Sequence, residues 1–444
     1  MAGYPPPNQR PGYPQQGYPQ QGYSQQGHPQ GHPQGHSQQQ GQYPQQPLKK
    51  PDPERGRKVT GIVLYVLGML IGGFLLFAMF LIPPLFSKDP GMEYYAMGVG
   101  AVLALPPLLI YLWVPWIVDR FDPEPLWSLT MCLLWGGIAA CGFSALINTM
   151  VGGVAASIGG AEFGDVIGSC VSAPIVEEFA KALAVFGVFY FARREFDGTV
   201  DGIVYATFAA LGFAAIENII YYGRAAKSEL AMGHDGALAA TFVIRGVLAP
   251  WGHPLYTSMT GIGFGIARET EKGWVKWAAP FFGYCGAVFL HCVWNTSATL
   301  SNMLPLLMLP LWLLFVLAFF GLLLWLVMRK GKIIRANLED EVLMGNLTPE
   351  ELLLVTSPIA RMKASMSWGG APGRKFVDAA CRLSLSKWHA GRASRARKAT
   401  ISADFVVPLR QDLHKLRAEM SQSLRRQLPQ PQAWSPNQGP FRRP

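Results

Sequence analysis

Four short runs hold the residues whose types and spacing suit chemistry. In Glu177-Glu178-Phe179-Ala180-Lys181, Glu177 and Lys181 are four apart and share a helical face, while Glu178 points to a neighbouring sector. One ammonium beside two carboxylates splits their proton affinities, and such a split suits one of the two for general-base work. The alternative for this run is a structural ion pair between helices. The second run, Phe213 to Asn218, places Glu217 and Asn218 deep along an otherwise apolar stretch, where they also suit interhelical hydrogen bonding. The third, His253-Pro254-Leu255-Tyr256-Thr257, follows Arg245 and Pro250, and the fourth is His291-Cys292-Val293-Trp294-Asn295. His253 with Thr257, and His291 with Asn295, are each on one face. Two histidines with a carboxylate (His253, His291 and Glu217) can hold a divalent ion such as zinc with an open water position. Without a metal, a glutamate activates water while His and Asn donors stabilise an oxyanion. Either scheme hydrolyses an acyl bond.

The elements that position these runs are apolar segments of about 20 residues, the length that crosses a bilayer. The hydropathy pattern predicts an all-α membrane protein of about eight spans, near 59–82, 96–118, 126–148, 165–192, 200–222, 236–267, 277–299 and 305–328. The sixth is overlong and contains Pro250, so it is expected to be broken or partly re-entrant. An ionisable group at mid-bilayer is costly and normally faces the bundle interior, where it works. Eleven Lys/Arg lie in the alternate loops that start with the N-terminal one, against three in the others, before the C-terminal tail is counted. That bias predicts cytoplasmic termini and a plasma-membrane, multi-pass protein.

These four motifs, in this order, resemble the PrsW family of intramembrane proteases, relatives of the CAAX-processing and bacteriocin-immunity proteases. The resemblance covers roughly 101–302. It rests on EEFAK (177–181), FAAIEN (213–218), HPLYT (253–257) and HCVWN (291–295), and the acidic DRFDPEP loop (119–125) also resembles a family feature. It implies glutamate-dependent proteolysis of membrane-anchored proteins, an anti-sigma factor among them. Carried over, Glu177 and Glu178 match the paired glutamates, with Glu178 or its neighbour as the water-activating base. Glu217 matches the place where the CAAX relatives have a histidine. His253, His291 and Asn295 match the remaining polar positions, as metal ligands or polarising donors. The resemblance leans towards a metalloprotease with zinc or another divalent ion. Other intramembrane protease classes fit less well. The chain has no HExxH and no GxGD, and Gly142-Phe143-Ser144-Ala145 departs from the rhomboid GxSG at its last position.

Composition bounds the rest. The 444 residues are 50% hydrophobic and 15% charged, with a net charge of +10, too apolar for a single soluble globule. The excess charge is local. From Arg329 to Pro444 there are 21 Lys/Arg and 9 Asp/Glu, whereas the other 328 residues carry 17 and 19. Residues 1–48, rich in Gly, Pro and Gln, are expected to be disordered, with His28, His32 and His36 belonging to a degenerate repeat. The protease domain is expected over 59–328. A basic helical cytoplasmic tail follows over 329–427, starting one helix at Thr348-Pro349-Glu350-Glu351, and a disordered end occupies 428–444. The tail suits anionic lipid. It has no recognised nucleic-acid motif, so nucleic acid is not the expected partner. Six cysteines without CxxC spacing read as small buried apolar residues. A proton-coupled transporter and a non-catalytic scaffold are the other classes compatible with buried Glu, Lys and His. The first calls for internal repeat symmetry, and none is visible between the two sets of four spans.

Overall fold

A computed structural model describes residues 53–233, 235–300, 304–357, 370–395, 401–425 and 427–433. The expected disorder of 1–48 lies outside the described residues. Among the described residues there are helices and no strand. The helices are α1 (Pro53–Leu76), α2 (Pro90–Tyr111), α3 (Trp113–Val118), α4 (Leu126–Leu134), α5 (Cys141–Gly159), α6 (Ala161–Val166), α7 (Ala173–Phe191) and α8 (Thr199–Met232). They continue with α9 (Ala237–Phe242), α10 (Gly252–Glu269), α11 (Val275–Leu300), α12 (Leu304–Leu343), α13 (Pro349–Thr356), α14 (Ala371–Arg395) and α15 (Val406–Leu424).

Six helical stretches are long and apolar enough to cross a membrane: Gly56–Phe86, Pro90–Val118, Leu126–Gly159, Thr199–Ala231, Val275–Thr299 and Leu309–Leu343. The count of eight is therefore not reached by length and apolarity alone. The fourth and sixth expected spans are helical but fall short for the reason that makes them informative. Helix α7 carries Glu177, Glu178 and Lys181 within 19 residues. The sixth is broken as its proline foretold, into α9, a π-helical turn over Val243–Leu248, and α10. Two more π-helical turns, Trp135–Ala140 and Ile167–Ser172, join α4 to α5 and α6 to α7. Such turns widen a helix by one residue and recur at functional sites.

Helix α8 is the axis of the bundle, packed by α2, α4, α7 and α10. Close packing in lipid relies on small residues that let backbones meet. A Cβ on Gly202 of α8 would lie 2.1 Å from the carbonyl oxygen of Gly261 in α10, and one on Gly261 would lie 2.2 Å from that of Gly202. Seven residues further along α8, Gly136 meets the Ala209 carbonyl so closely that a Cβ there would sit 1.9 Å away. These two contacts set α10 and the Trp135–Ala140 turn flush against α8. Glu217 and His253 are thereby brought within bonding reach.

Helix α12 runs without interruption from the bundle into the C-terminal region. There Ile334, Leu338 and Val342 form one buried core with Leu352 and Val355 of α13, Phe376, Ala380 and Leu383 of α14, and Leu413 and Met420 of α15. The capping box at the start of α13 is formed, with Thr348 Oγ1 accepting from Glu351 N at 3.1 Å and Glu351 Oε2 accepting from Thr348 N at 2.9 Å. Basic residues are used internally as well as displayed. Arg417, 1% exposed, donates to Glu351 at 2.6 and 2.8 Å, and Glu341 accepts from Lys387 and Arg410. Of the end expected to be disordered, 428–433 is described, without regular structure and with Leu428 buried.

The tail meets the bundle where the 119–125 loop and the start of α8 lie. His389 is 3.8 Å from Asp197, and Arg392 donates to the Glu269 carbonyl. Burial, opposed by Lys330, leaves Asp119 well above the usual carboxylate range, and burial beside Asp201 and Asp119 pushes Glu124 up to about 11.

Replacing Arg417 with Met strands the Glu351 carboxylate in the tail core. Loss of one partner from a buried pair costs about 3–5 kcal/mol. The expected result is selective protease sensitivity of 329–427 in the detergent-solubilised protein, with the membrane fragment still resistant, read by limited proteolysis.

Candidate active site

The site is centred on the ammonium of Lys181, which is fully buried in α7. It donates to Glu178 Oε1 at 2.9 Å and to His253 Nδ1 at 2.9 Å, and lies 3.6 Å from Glu177 Oε2 and 3.9 Å from the centre of the Phe213 ring. Because Lys181 donates to Nδ1, His253 carries its proton on Nε2 and donates it to Glu217 Oε2 at 2.8 Å. Glu217 also accepts from Arg245 at 2.5 Å, and the same guanidinium reaches Asn218 Oδ1 at 2.7 Å. Three carboxylates thus face two permanent cations.

The two adjacent glutamates are not equivalent. Both oxygens of Glu178 are engaged: Oε1 accepts from Lys181 and from His291 Nδ1 at 3.1 Å, and Oε2 accepts from Thr257 at 2.7 Å. Glu177 Oε1 takes only a 3.4 Å contact from Asn148 Nδ2, and its Oε2 is buried without a hydrogen-bond partner. Since His291 spends Nδ1–H on Glu178, the lone pair of Nε2 is free, and it faces Glu177 Oε2 across 3.9 Å. That gap is too wide for a direct hydrogen bond and suits one small oxygen species held by both.

Helix α11 is fixed to α7 by backbone chemistry. Pro174 has no N–H, so one carbonyl of the preceding turn lacks its donor, and the π-helical register of that turn leaves another over. Two carbonyls of this turn accept from α11: Asn295 Nδ2 donates to Ser169 O at 2.9 Å and Cys292 Sγ to Cys170 O at 3.0 Å. His291, on the same face, is carried to Glu178 by this clamp, and its ring stacks on Tyr256 at 5.0 Å. A cavity of about 70 Å3 adjoins the cluster, lined among others by Glu217, Arg245, His253, Tyr256, His291 and Asn295. The phenol oxygen of Tyr256 is buried and has no partner.

A family model described as PrsW family intramembrane metalloprotease matches residues 124–326, which include all four motifs. A Protease PrsW from Geobacillus kaustophilus is 30% identical over 173 residues, covering 38% of this chain and 68% of that protein. The chain belongs to the PrsW protease family. Another Protease PrsW, from Bacillus subtilis, is 26% identical over 219 residues (49% of this chain, 87% of that protein), and one from Clostridioides difficile is 34% identical over 122 residues (27% and 49%). No solved structure matches. Membership makes this chain an intramembrane protease with several membrane-spanning helices.

The expected site residues of this PrsW protease fall into three groups. Glu177, Glu178, His253 and His291 surround Lys181. Glu217 joins them only through His253, so the three groups whose donor atoms lie within 4.8 Å of one another are Glu177, His253 and His291, with Glu177 where Glu217 was expected. Asn295 lines the cavity but spends its amide on Ser169. The donor set has the count and kind of an open zinc site. As arranged, though, both nitrogens of His253 are committed to Lys181 and Glu217, and a lysine ammonium occupies the centre. Asn148 was not foreseen. It donates to Glu177 and accepts from Ser172 at 2.7 Å, and its signal was a lone amide in the otherwise apolar third span.

The unequal engagement sets unequal costs. Glu178→Gln loses a charge held by Lys181 and His291 and is expected to cost about 2–4 kcal/mol. Glu177→Gln is expected to stay within about 1 kcal/mol of wild type. Thermal unfolding of the two variants in one detergent checks the order.

Proposed function

We propose that this protease hydrolyses a peptide bond of a membrane-anchored protein with water activated by Glu177. The observation that carries the reading is the buried Glu177 Oε2, which accepts no hydrogen bond and faces Nε2 of His291. Water held between them gives a proton to Glu177 as its oxygen attacks the scissile carbonyl carbon. Tyr256 Oη, with no other claim on its proton, donates to the oxyanion. Collapse of the tetrahedral intermediate breaks the C–N bond, and Glu177 returns the proton to the leaving amine. Glu178 orients His291, Lys181 holds the carboxylates and His253 in register, and Glu217 with Arg245 fixes His253 from the other side. Asn295 is the clamp that seats α11.

A second reading is favoured by the convergence of Glu177, His253 and His291. These three would hold a divalent ion such as zinc, which would supply Lewis-acid activation of water, and His253 would first have to release Lys181 or Glu217. The substrate class to try first is a single-span anti-sigma factor, as the resemblance implies. The same reading places the protein in the plasma membrane with cytoplasmic termini. Anionic lipid is the proposed neighbour of the tail, on which Arg374, Lys375, Arg382 and Lys415 are exposed.

The test is cleavage of single-span substrates in liposomes. Glu177→Gln is expected to lower the rate about 10²–10⁴-fold, and His291→Ala comparably, with Tyr256→Phe intermediate. Equal cleavage by wild type and Glu177→Gln sinks the proposal. Activity that survives a chelator supports the metal-free scheme, whereas loss on chelation and recovery with zinc supports the second reading.

A further inference from the structure

A second group of carboxylates lies away from the active site, where the 119–125 loop meets the first turn of α8. One oxygen from each of Asp119, Glu124 and Asp201 falls within 4.8 Å of the others. All three residues are nearly or fully buried, with Asp119 and Asp201 each 2% exposed. Each carboxylate is tethered through one oxygen. Asp119 Oδ2 accepts from Glu124 N at 2.6 Å, Glu124 Oε2 accepts from Tyr205 Oη, and Asp201 Oδ2 accepts from Asp197 N at 2.7 Å and Gly198 N at 2.9 Å. Tethering of this kind orients the other oxygen of each group, as outer hydrogen bonds do around metal ligands. Asp119 Oδ1 is buried with no partner at all. Asp201 Oδ1 has only the ammonium of Lys330, at 3.5 Å.

We propose that Asp119, Glu124 and Asp201 form a binding site for a hard divalent cation, calcium or magnesium. The three offer oxygen donors only, which suits those ions rather than zinc or copper. Lys330 meets only one of the three open oxygens, whereas a dication can take one oxygen from each residue. Lys330 is then the built-in competitor, occupying part of the charge until an ion displaces it. A cavity of about 60 Å3, lined by Asp201 and Lys330 together with Asp122 and Asp197, opens beside the cluster and has room for the waters these ions keep.

The test is thermal unfolding of the full chain in non-ionic detergent, free of anionic lipid, in chelator or in millimolar calcium or magnesium. Wild type is expected to gain about 5 °C with one of the two ions. Asp119→Asn should lose the gain while unfolding in chelator near the wild-type temperature. Lys330→Met should unfold earlier in chelator yet show a larger gain, with at least tenfold tighter apparent affinity. Glu177→Gln should keep the wild-type gain, which separates this site from the active-site cluster. No ion-dependent gain in either wild type or Lys330→Met overturns the proposal. A gain that survives Asp119→Asn and disappears in Glu177→Gln also overturns it.

Discussion

One ammonium holds the candidate active site together. Lys181 is wholly removed from solvent, and a buried charge is tolerated only when paired and hydrogen-bonded. Its partners come from different helices: Glu177 and Glu178 from its own turn and His253 from α10, with the Phe213 ring of α8 against its face. Helices in lipid gain little from hydrophobic burial against one another, so this polar knot and the glycine contacts determine how α7, α8 and α10 meet. The same ammonium decides which glutamate is spent. Glu178 is saturated by Lys181, His291 and Thr257, and Glu177 is left with an open oxygen.

The second constraint is an absent donor. Pro174 removes an N–H just before the glutamate pair, and the turn ahead of it widens into a π helix. The carbonyls left over become the receptors for Asn295 and Cys292. A residue type that usually marks a defect thus specifies which face of α11 docks. His291 follows because it shares that face.

Much of this was legible in the sequence. The glutamate pair, the two histidines and their helices could be read from polar residues in apolar runs, because a charge at membrane depth has few structural excuses. The break at Pro250 and the cap at Thr348 could be read from local chemistry. Partner choice could not. Spacing puts Glu177 and Lys181 on one face, yet Glu178 makes the shorter bond to Lys181, since the partner is set by where His291 and Thr257 arrive from other helices. Nothing in the segment of Glu217 announces that Arg245 pairs with it. The role of Asn148 depends on a contact with α7 that no local pattern encodes. The count of spans turns on the same residues: length and apolarity pick out six helical stretches, and the fourth and sixth expected spans fall outside them because α7 carries three charges and the sixth is broken into α9 and α10.

Helix α12 has 40 residues, a rod of about 60 Å at 1.5 Å per residue. Its far end is gripped by the tail core around Ile334, Leu338 and Val342. Near its start, Trp312 packs against Tyr256 with ring centres 5.6 Å apart and against Trp294 at 4.8 Å, and Tyr256 in turn lies on His291. A rod held at both ends transmits torque. The C-terminal core and the imidazole that faces Glu177 therefore share one shaft, joined to it through the rings of Trp312 and Tyr256.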